Sequence, residues 1–375
     1  MDVKIIPIEN NTGLKKFINC QWNFYKDDKN WVPPMKSERK KVLDVKNNPF
    51  YEHSEIQLFL AESGNEIVGR IAAIVNYNHN KTHNDKVGFF GFFESIDNKD
   101  VATALFDAAA DWLRKKGMDA MRGPENPSMN DEIGLLVDGF DSPPVIMMTY
   151  NPKYHIDLIE NYGFQKAKDL YAYQLIYGKF QSDKLLRMQE IIRKRYDVTI
   201  REVNFKNKNQ LKKDVDTFKD VYNAAWVPNW GFVKWTDAEM DFIAQDLKTV
   251  ADPSLAIIAE SKGEIAGFAL ALPDINQCLI HNKSGSMLGA IWHLLTKKKT
   301  INNVRIIALG IIPKFQKSGI DSVLYYELGV RGHKMGAEFG EASWVLEDNE
   351  MMKFFKIEAS AEPAGNPAKG FGRRN

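Results

Sequence analysis

Cysteine is scarce in this chain: Cys20 and Cys278 are the two present, far apart and in no metal-ligand spacing. That excludes a disulfide framework and a zinc-finger arrangement, and it fits a reducing compartment. A charge of one sign is missing too. Lys and Arg total 50 against 49 Asp and Glu, a formal net charge of +1, so no field points toward nucleic acid or a membrane. No apolar run approaches the roughly 18 residues of a membrane span, and the opening MDVKIIPIEN lacks the apolar centre of a secretory signal. A cytoplasmic globular protein with no bound metal is expected, and 375 residues suffice for two ordinary domains.

What is present is a repeat. WVPP at Trp31–Pro34 answers WVPN at Trp226–Asn229, and AESGNEIVG at Ala61–Gly69 answers AESKGEIAG at Ala259–Gly267. The matches occur in the same order and at nearly the same offset. Each Trp-Val-Pro piece follows a segment with helical character. Each AES piece sits between apolar runs, the signature of a hairpin. Two copies of one domain are the reading, joined through the polar, basic stretch Gly178–Asp197, which suits a linking helix.

Each copy continues with an apolar run, VGFFGFFES at Val87–Ser95 and VRIIALGII at Val304–Ile312, and then a helical pattern. Val101, Ala104, Leu105, Ala108 and Trp112 share one face in the first copy; Ile320, Val323, Leu324, Leu328 and Met335 do so in the second. Gly117 and Gly336 stand where left-handed caps end such helices. Hairpin, strand, helix and strand make a mixed α/β layer.

In the second copy the strand leads through Pro313 into Gln316-Lys317-Ser318-Gly319-Ile320-Asp321 at a helix start. The unpaired amides and the dipole of a helix N-terminus suit pyrophosphate, and Gly319 permits close approach of the backbone. Leu309, Gly310, Pro313, Gln316, Gly319 and Leu324 resemble the cofactor loop of the GNAT acyltransferase superfamily. Asp321 departs from it, standing where the family has Gly or Ala. The resemblance implies two tandem GNAT-like α/β domains, each a mixed, mostly antiparallel sheet flanked by helices. Residues 1–180 would form a degenerate copy and residues 181–375 the copy that binds acetyl-CoA or another acyl-CoA. It further implies pantetheine contacts from Leu309, Gly310 and Ile311 and a cofactor contact from Asn349, a residue that equally suits a helix N-cap.

The first copy has no such loop. In FFESIDNKDVATALF, Glu94, Asp97 and Asp100 are expected where phosphate would lie, so no cofactor is expected there. Asn161, Tyr162, Gly163 and Phe164 resemble the GNAT closing helix and strand. The Pro-, Gly-, Asn- and Asp-rich stretch Arg122–Pro144 reads as a long surface loop.

GNAT chemistry needs a base for the acceptor amine and an acid for the leaving thiolate. Glu341 and Glu260 are the candidate bases. Tyr325 and Tyr326 follow the loop, with one of them expected in the core. Trp226, Trp230, Phe232 and Trp235 are candidates for an acceptor wall, or for ordinary core. The tail IEASAEPAGNPAKGFGRRN lacks the alternation of a closing strand, and the first half is a possible donor of a strand in its place. The expected activity is acyl-CoA-dependent N-acyl transfer to a small-molecule or peptide amine, with no nucleic-acid or membrane partner. Two alternatives stand beside it: an aminoacyl or peptidyl transferase using aminoacyl-tRNA, and a non-catalytic protein that binds or senses CoA.

Overall fold

The computed structural model describes residues 1–180, 183–349, 362–363 and 368–374. Its strands are β1 (Lys4–Pro7), β2 (Ser54–Ser63), β3 (Glu66–Asn76), β4 (Val87–Ser95), β5 (Ala120–Gly123), β6 (Leu135–Leu136), β7 (Gln165–Ile176), β8 (Val198–Glu202), β9 (Ala256–Ser261), β10 (Glu264–Pro273), β11 (Asn303–Ile311), β12 (Phe339–Leu346), β13 (Glu362–Pro363) and β14 (Ala368–Arg374). Contacts divide the chain into two units. Unit 1 comprises Met1–Leu170, Leu279–Leu295 and Gly365–Asn375; unit 2 comprises Tyr171–Cys278 and Thr296–Ala364. These are not the contiguous halves expected from a cut at 180. A sheet closes with whichever segment supplies a register, and here that segment is distant in sequence.

Unit 1 carries the strand order β1-β2-β3-β4-β5-β14 and then the first part of β7; unit 2 runs from the last part of β7 through β12-β11-β10-β9-β8. In unit 1 β14 pairs antiparallel with β5 and β7. In unit 2 Tyr171–Ile176, which come from the first half of the sequence, lie beside β12. So the second copy does take a strand from the first half. Among the described pairs, β4 with β5 and β11 with β12 run parallel.

Both AES segments form hairpins, β2–β3 and β9–β10. At the second turn Lys262 and Gly263 both have left-handed φ, 52° and 79°, the geometry of a two-residue turn whose twist matches its strands. The helices Lys99–Lys115 and Ile320–Lys334 pack on their sheets, and Gly117 (φ 80°) and Gly336 (φ 97°) follow them in the left-handed conformation. Within Lys99–Lys115 the buried stripe is Val101, Leu105, Phe106, Ala109 and Leu113, with Ala104, Ala108 and Trp112 on its border. In the second helix Ile320, Val323, Leu324 and Leu328 are buried, but Met335 is exposed, because it lies beyond the last turn. The linking stretch forms the helix Asp183–Tyr196.

The segment Arg122–Pro144 is not a surface loop. Pro124, Glu125, Pro127 and Ser128 are buried. No described helix is long and apolar enough to cross a membrane.

Candidate functional site

In unit 2, β11 keeps its register with β10 as far as Ile311 opposite Gly267, with a bulge at Ile307. Its parallel register with β12 stops much earlier, at Ile306 opposite Ala342. The two strands therefore part, and β11 from Ile307 to Ile311 presents backbone N–H and C=O groups toward the gap. Such groups require partners, and an extended ligand arm with amide groups supplies them as an added strand would. Leu309, Gly310 and Ile311 all lie on this stretch.

The loop that follows ends at Gly319, whose φ of 87° is left-handed and which begins the helix Ile320–Lys334 without a side-chain cap of its own. The left-handed conformation favours glycine here, and a Cβ at Gly319 would come within 2.6 Å of Ile192 Cδ1, so that side chain would have to shift. Lys317 also has a positive φ, 64°, and is exposed, as is Gln316. Ser318 Oγ accepts the Ile320 N–H at 3.2 Å. Asp321 is half-buried; burial raises its carboxyl above the usual range, and its own amide and that of Ser322 hold it down in part. Asn349 is half-buried just past β12, with its N–H donating to Leu346 O at 2.9 Å. The helix it was expected to cap lies outside the described residues.

The same gap in unit 1 is filled by the protein itself. The β4–β5 register stops at Phe89 opposite Arg122. Beyond it, Glu125 N–H donates to Phe90 O at 2.9 Å and Asn126 Oδ1 accepts the Phe92 N–H. A Cβ at Gly91 would lie 1.7 Å from Glu125 O, so there is no room there for another chain. At the following helix Asn98 accepts the N–H groups of Asp100 and Val101. Asp97 and Asp100 are exposed near that start, but Glu94 does not join them. Its carboxylate turns inward, accepting from Gln21 and Tyr25, each at 2.9 Å, and from Arg70 at 3.5 Å.

Of the two candidate bases, Glu341 belongs to the gap. It faces Arg305 in the β11–β12 register, one step before the strands part. It is 5% exposed, and Ser343 Oγ donates to its Oε1 at 2.6 Å. Arg305 in turn donates to Ser343 Oγ at 2.8 Å. Burial raises the Glu341 carboxyl, against the pull of Arg305 and Ser343. Burial also lowers the Arg305 guanidinium to about 10. Glu260 is engaged elsewhere. It is two strands from β11 and accepts from Arg201 Nε at 2.8 Å, while Arg201 also binds the buried Asp214 at 2.8 Å. Tyr325 is buried in the core, and burial pushes its hydroxyl pKa up; Tyr326 is half-buried against that core.

The aromatic candidates divide as well. Trp226 packs directly on the gap strand, where a Cβ at Gly310 would meet its ring at 2.4 Å. Trp226 stacks on Tyr222 at 4.4 Å and Phe268 at 6.1 Å, while Phe232 and Trp235 flank Tyr222. Trp230 is half-buried in the turn before Gly231. The sequence reading missed what lies behind these rings. Phe218 tilts on Phe268 at 4.2 Å and lines a cavity of about 670 Å³ between the helices Lys208–Ala225 and Asp237–Val250 and the sheet. Its wall is mostly apolar, including Phe205, Leu211, Val215, Met240 and Leu247. The spacing of Phe218, Tyr222 and Trp226, four residues apart, was the available signal.

Relatives match over the whole length. Bacterial ceramide synthase of Caulobacter vibrioides is 36% identical over 365 residues, covering 94% of this chain and 92% of that protein. Protein YghO of Escherichia coli is 32% identical over 362 residues, covering 94% and 91%. Among solved structures, a tandem GNAT protein from the clavulanic acid biosynthesis pathway aligns with a TM-score of 0.55 and 10% identity, covering 100% of this chain and 98% of that one, a likeness of fold. No protein-family model matches. The chain belongs to the family of bacterial ceramide synthase and protein YghO, and its fold is that of tandem GNAT proteins.

Proposed function

We propose that the chain transfers an acyl group from acyl-CoA to the amine of a substrate bearing a long apolar chain. The observation that carries the donor half is the early end of the β11–β12 register beside the glycine-started helix. The residues fit the group: Leu309, Gly310 and Ile311 offer backbone partners to a pantetheine arm, and the turn from Gln316 to Asp321 offers the Lys317 ammonium and the Lys317 and Gly319 amides to the phosphates. Bound acyl-CoA supplies the thioester carbonyl. Glu341, held by Ser343 and raised by burial, would take the proton that the acceptor nitrogen gives up as the C–N bond forms, and the C–S bond would break to release coenzyme A as its thiol, protonated from solvent. An amide of β11 in the gap donates to the carbonyl oxygen as negative charge develops there.

The apolar half of the proposal rests on the cavity. Its volume lies within the ~300–1,000 Å³ of small-ligand sites, and one of its lining rings, Phe218, packs on Phe268, which stacks on Trp226 against Gly310. Each buried methylene contributes about 0.8 kcal/mol, so the wall favours long chains over short ones. The name of the Caulobacter relative supports this reading, since a ceramide is an amide joining two long chains.

Calorimetric titration with acetyl-CoA and a long-chain acyl-CoA tests the donor. The wild type should bind. Gly319→Trp should abolish binding, and Lys317→Glu, an exposed change that leaves the fold intact, should weaken it about tenfold. Failure of the folded wild type to bind either donor sinks the assignment. With binding in hand, turnover of long-chain amines but not short ones is the expected result of an acceptor screen.

A further inference from the structure

The connection between β3 and β4 in unit 1 is short and polar, with a helix Tyr77–His83. The equivalent connection between β10 and β11 is much longer and carries the apolar helix Met287–Lys297. The loop before that helix is fixed within unit 1. Trp22 Nε1 donates to Lys283 O at 2.8 Å, Lys36 N–H donates to Gly285 O at 3.0 Å, and the Lys36 ammonium lies 4.3 Å from the Trp22 ring centroid. Ser286 Oγ caps the helix by accepting the Gly289 N–H at 3.1 Å. Ala290 is the side chain of the helix that is buried.

The opposite face is exposed and apolar. Leu288 is 82% exposed, Leu295 80% and Trp292 66%, with Met287 and Ile291 beside them. At about 100° per residue these five fall within roughly 140° of the helix circumference. Most of the exposed large apolar side chains of the described residues outside this helix are isolated. From His281 to Ile301 there is no Asp or Glu, while Lys283, Lys297, Lys298 and Lys299 are present; Lys298 and Lys299 are exposed at the helix end.

We propose that Met287–Lys297 is an interfacial helix that seats this protein on a bilayer surface containing anionic lipid. A protein partner would be met by any apolar face; a lysine run without a single acid, at the end of a face made of Leu, Ile, Met and Trp, fits a bilayer. The apolar side chains enter the acyl boundary, Trp sits at headgroup depth, and the lysines meet phosphate groups. The helix is too short to span a bilayer, so it lies along the surface. This departs from the sequence expectation of no membrane partner, which rested on net charge; a local basic cluster escapes a whole-chain sum. The inference stands apart from the acceptor assignment, although a surface-bound enzyme would meet long-chain substrates where they reside.

The test is co-sedimentation of the full chain with vesicles of phosphatidylcholine alone and of equimolar phosphatidylcholine and phosphatidylglycerol. The wild type should partition onto the anionic vesicles, more weakly at high salt. Leu288→Glu/Leu295→Glu should lower the partition coefficient by about a hundredfold, with an unchanged melting temperature because both side chains are exposed. Lys298→Glu/Lys299→Glu should reduce binding to the anionic vesicles specifically. Three outcomes overturn the proposal: no partition of the wild type, partition that the double Leu variant leaves unchanged, or a self-association in light scattering that this variant abolishes while vesicle binding is absent.

Discussion

Glu341 is where the chemistry is most sharply exposed to test. As the proposed base, Glu341, its carboxyl raised by burial, is expected to be protonated and inactive at acidic pH. The rate should therefore rise as pH climbs through a value above the ordinary carboxylate range near 4.5. Glu341→Gln should remove that acidic limb and lower kcat by about 10²–10⁴, while acyl-CoA affinity measured by calorimetry stays the same. Glu260→Gln is the contrast: turnover should persist, and stability should fall by about 1 kcal/mol as Arg201 loses one of its two carboxylates. Glu125 offers a pH signature of the first copy. Burial raises its carboxyl from 4.5 to about 7. A raised folded pKa means stability present below the unfolded value and lost as pH rises through the folded one. The wild type should lose stability between about pH 4.5 and pH 7, and Glu125→Gln should flatten that decline by about 2 kcal/mol in denaturant titrations. At this scale the sequence was legible where chemistry demanded one residue type. Gly319 stands where the backbone is left-handed, the conformation that glycine adopts most readily. Glu341 and Glu260 were indistinguishable in the sequence, because only strand register decides that one meets Arg305 and the other Arg201.

Among the elements around the gap, Trp226 packs against Gly310. Gly310→Ala should push the ring away at a cost of about 1–3 kcal/mol, and Trp226→Phe in the same chain should recover part of it; the difference, read as a double-mutant cycle, reports the contact. Filling the cavity tests its use. Ala244→Trp, between the two helices, should lose activity on long-chain substrates and retain it on short ones. Hairpins, the strand–loop–helix and both left-handed caps were readable because turns and caps are local. The Arg122–Pro144 segment was misread for the opposite reason. Its composition is that of a surface loop, yet Glu125 and Asn126 bond to β4 and occupy the gap. A backbone that finds partners in a parted sheet is buried whatever its composition.

Across the whole molecule, tandem duplication was legible from two short matches, and a strand given by the first half to the second was foreseen from the tail's composition; the return of the tail into the first sheet was not. The tail from Ile357 does not look like a strand, because Gly370 and Gly372 interrupt the alternation; yet β14 lies between β5 and β7 in unit 1. Removing Gly365–Asn375 should therefore destabilise unit 1 more than the sheet that carries Gly319, as read by limited proteolysis of each unit. The central claim is that one copy holds the donor and the other has closed its own gap. Hydrogen exchange of the full chain with and without acyl-CoA measures this directly. The account predicts new protection of the amides from Ile307 to Ile311 and from Gln316 to Ser322, with none from Phe90 to Val101. Protection of the first-copy strand, or of neither, would contradict it.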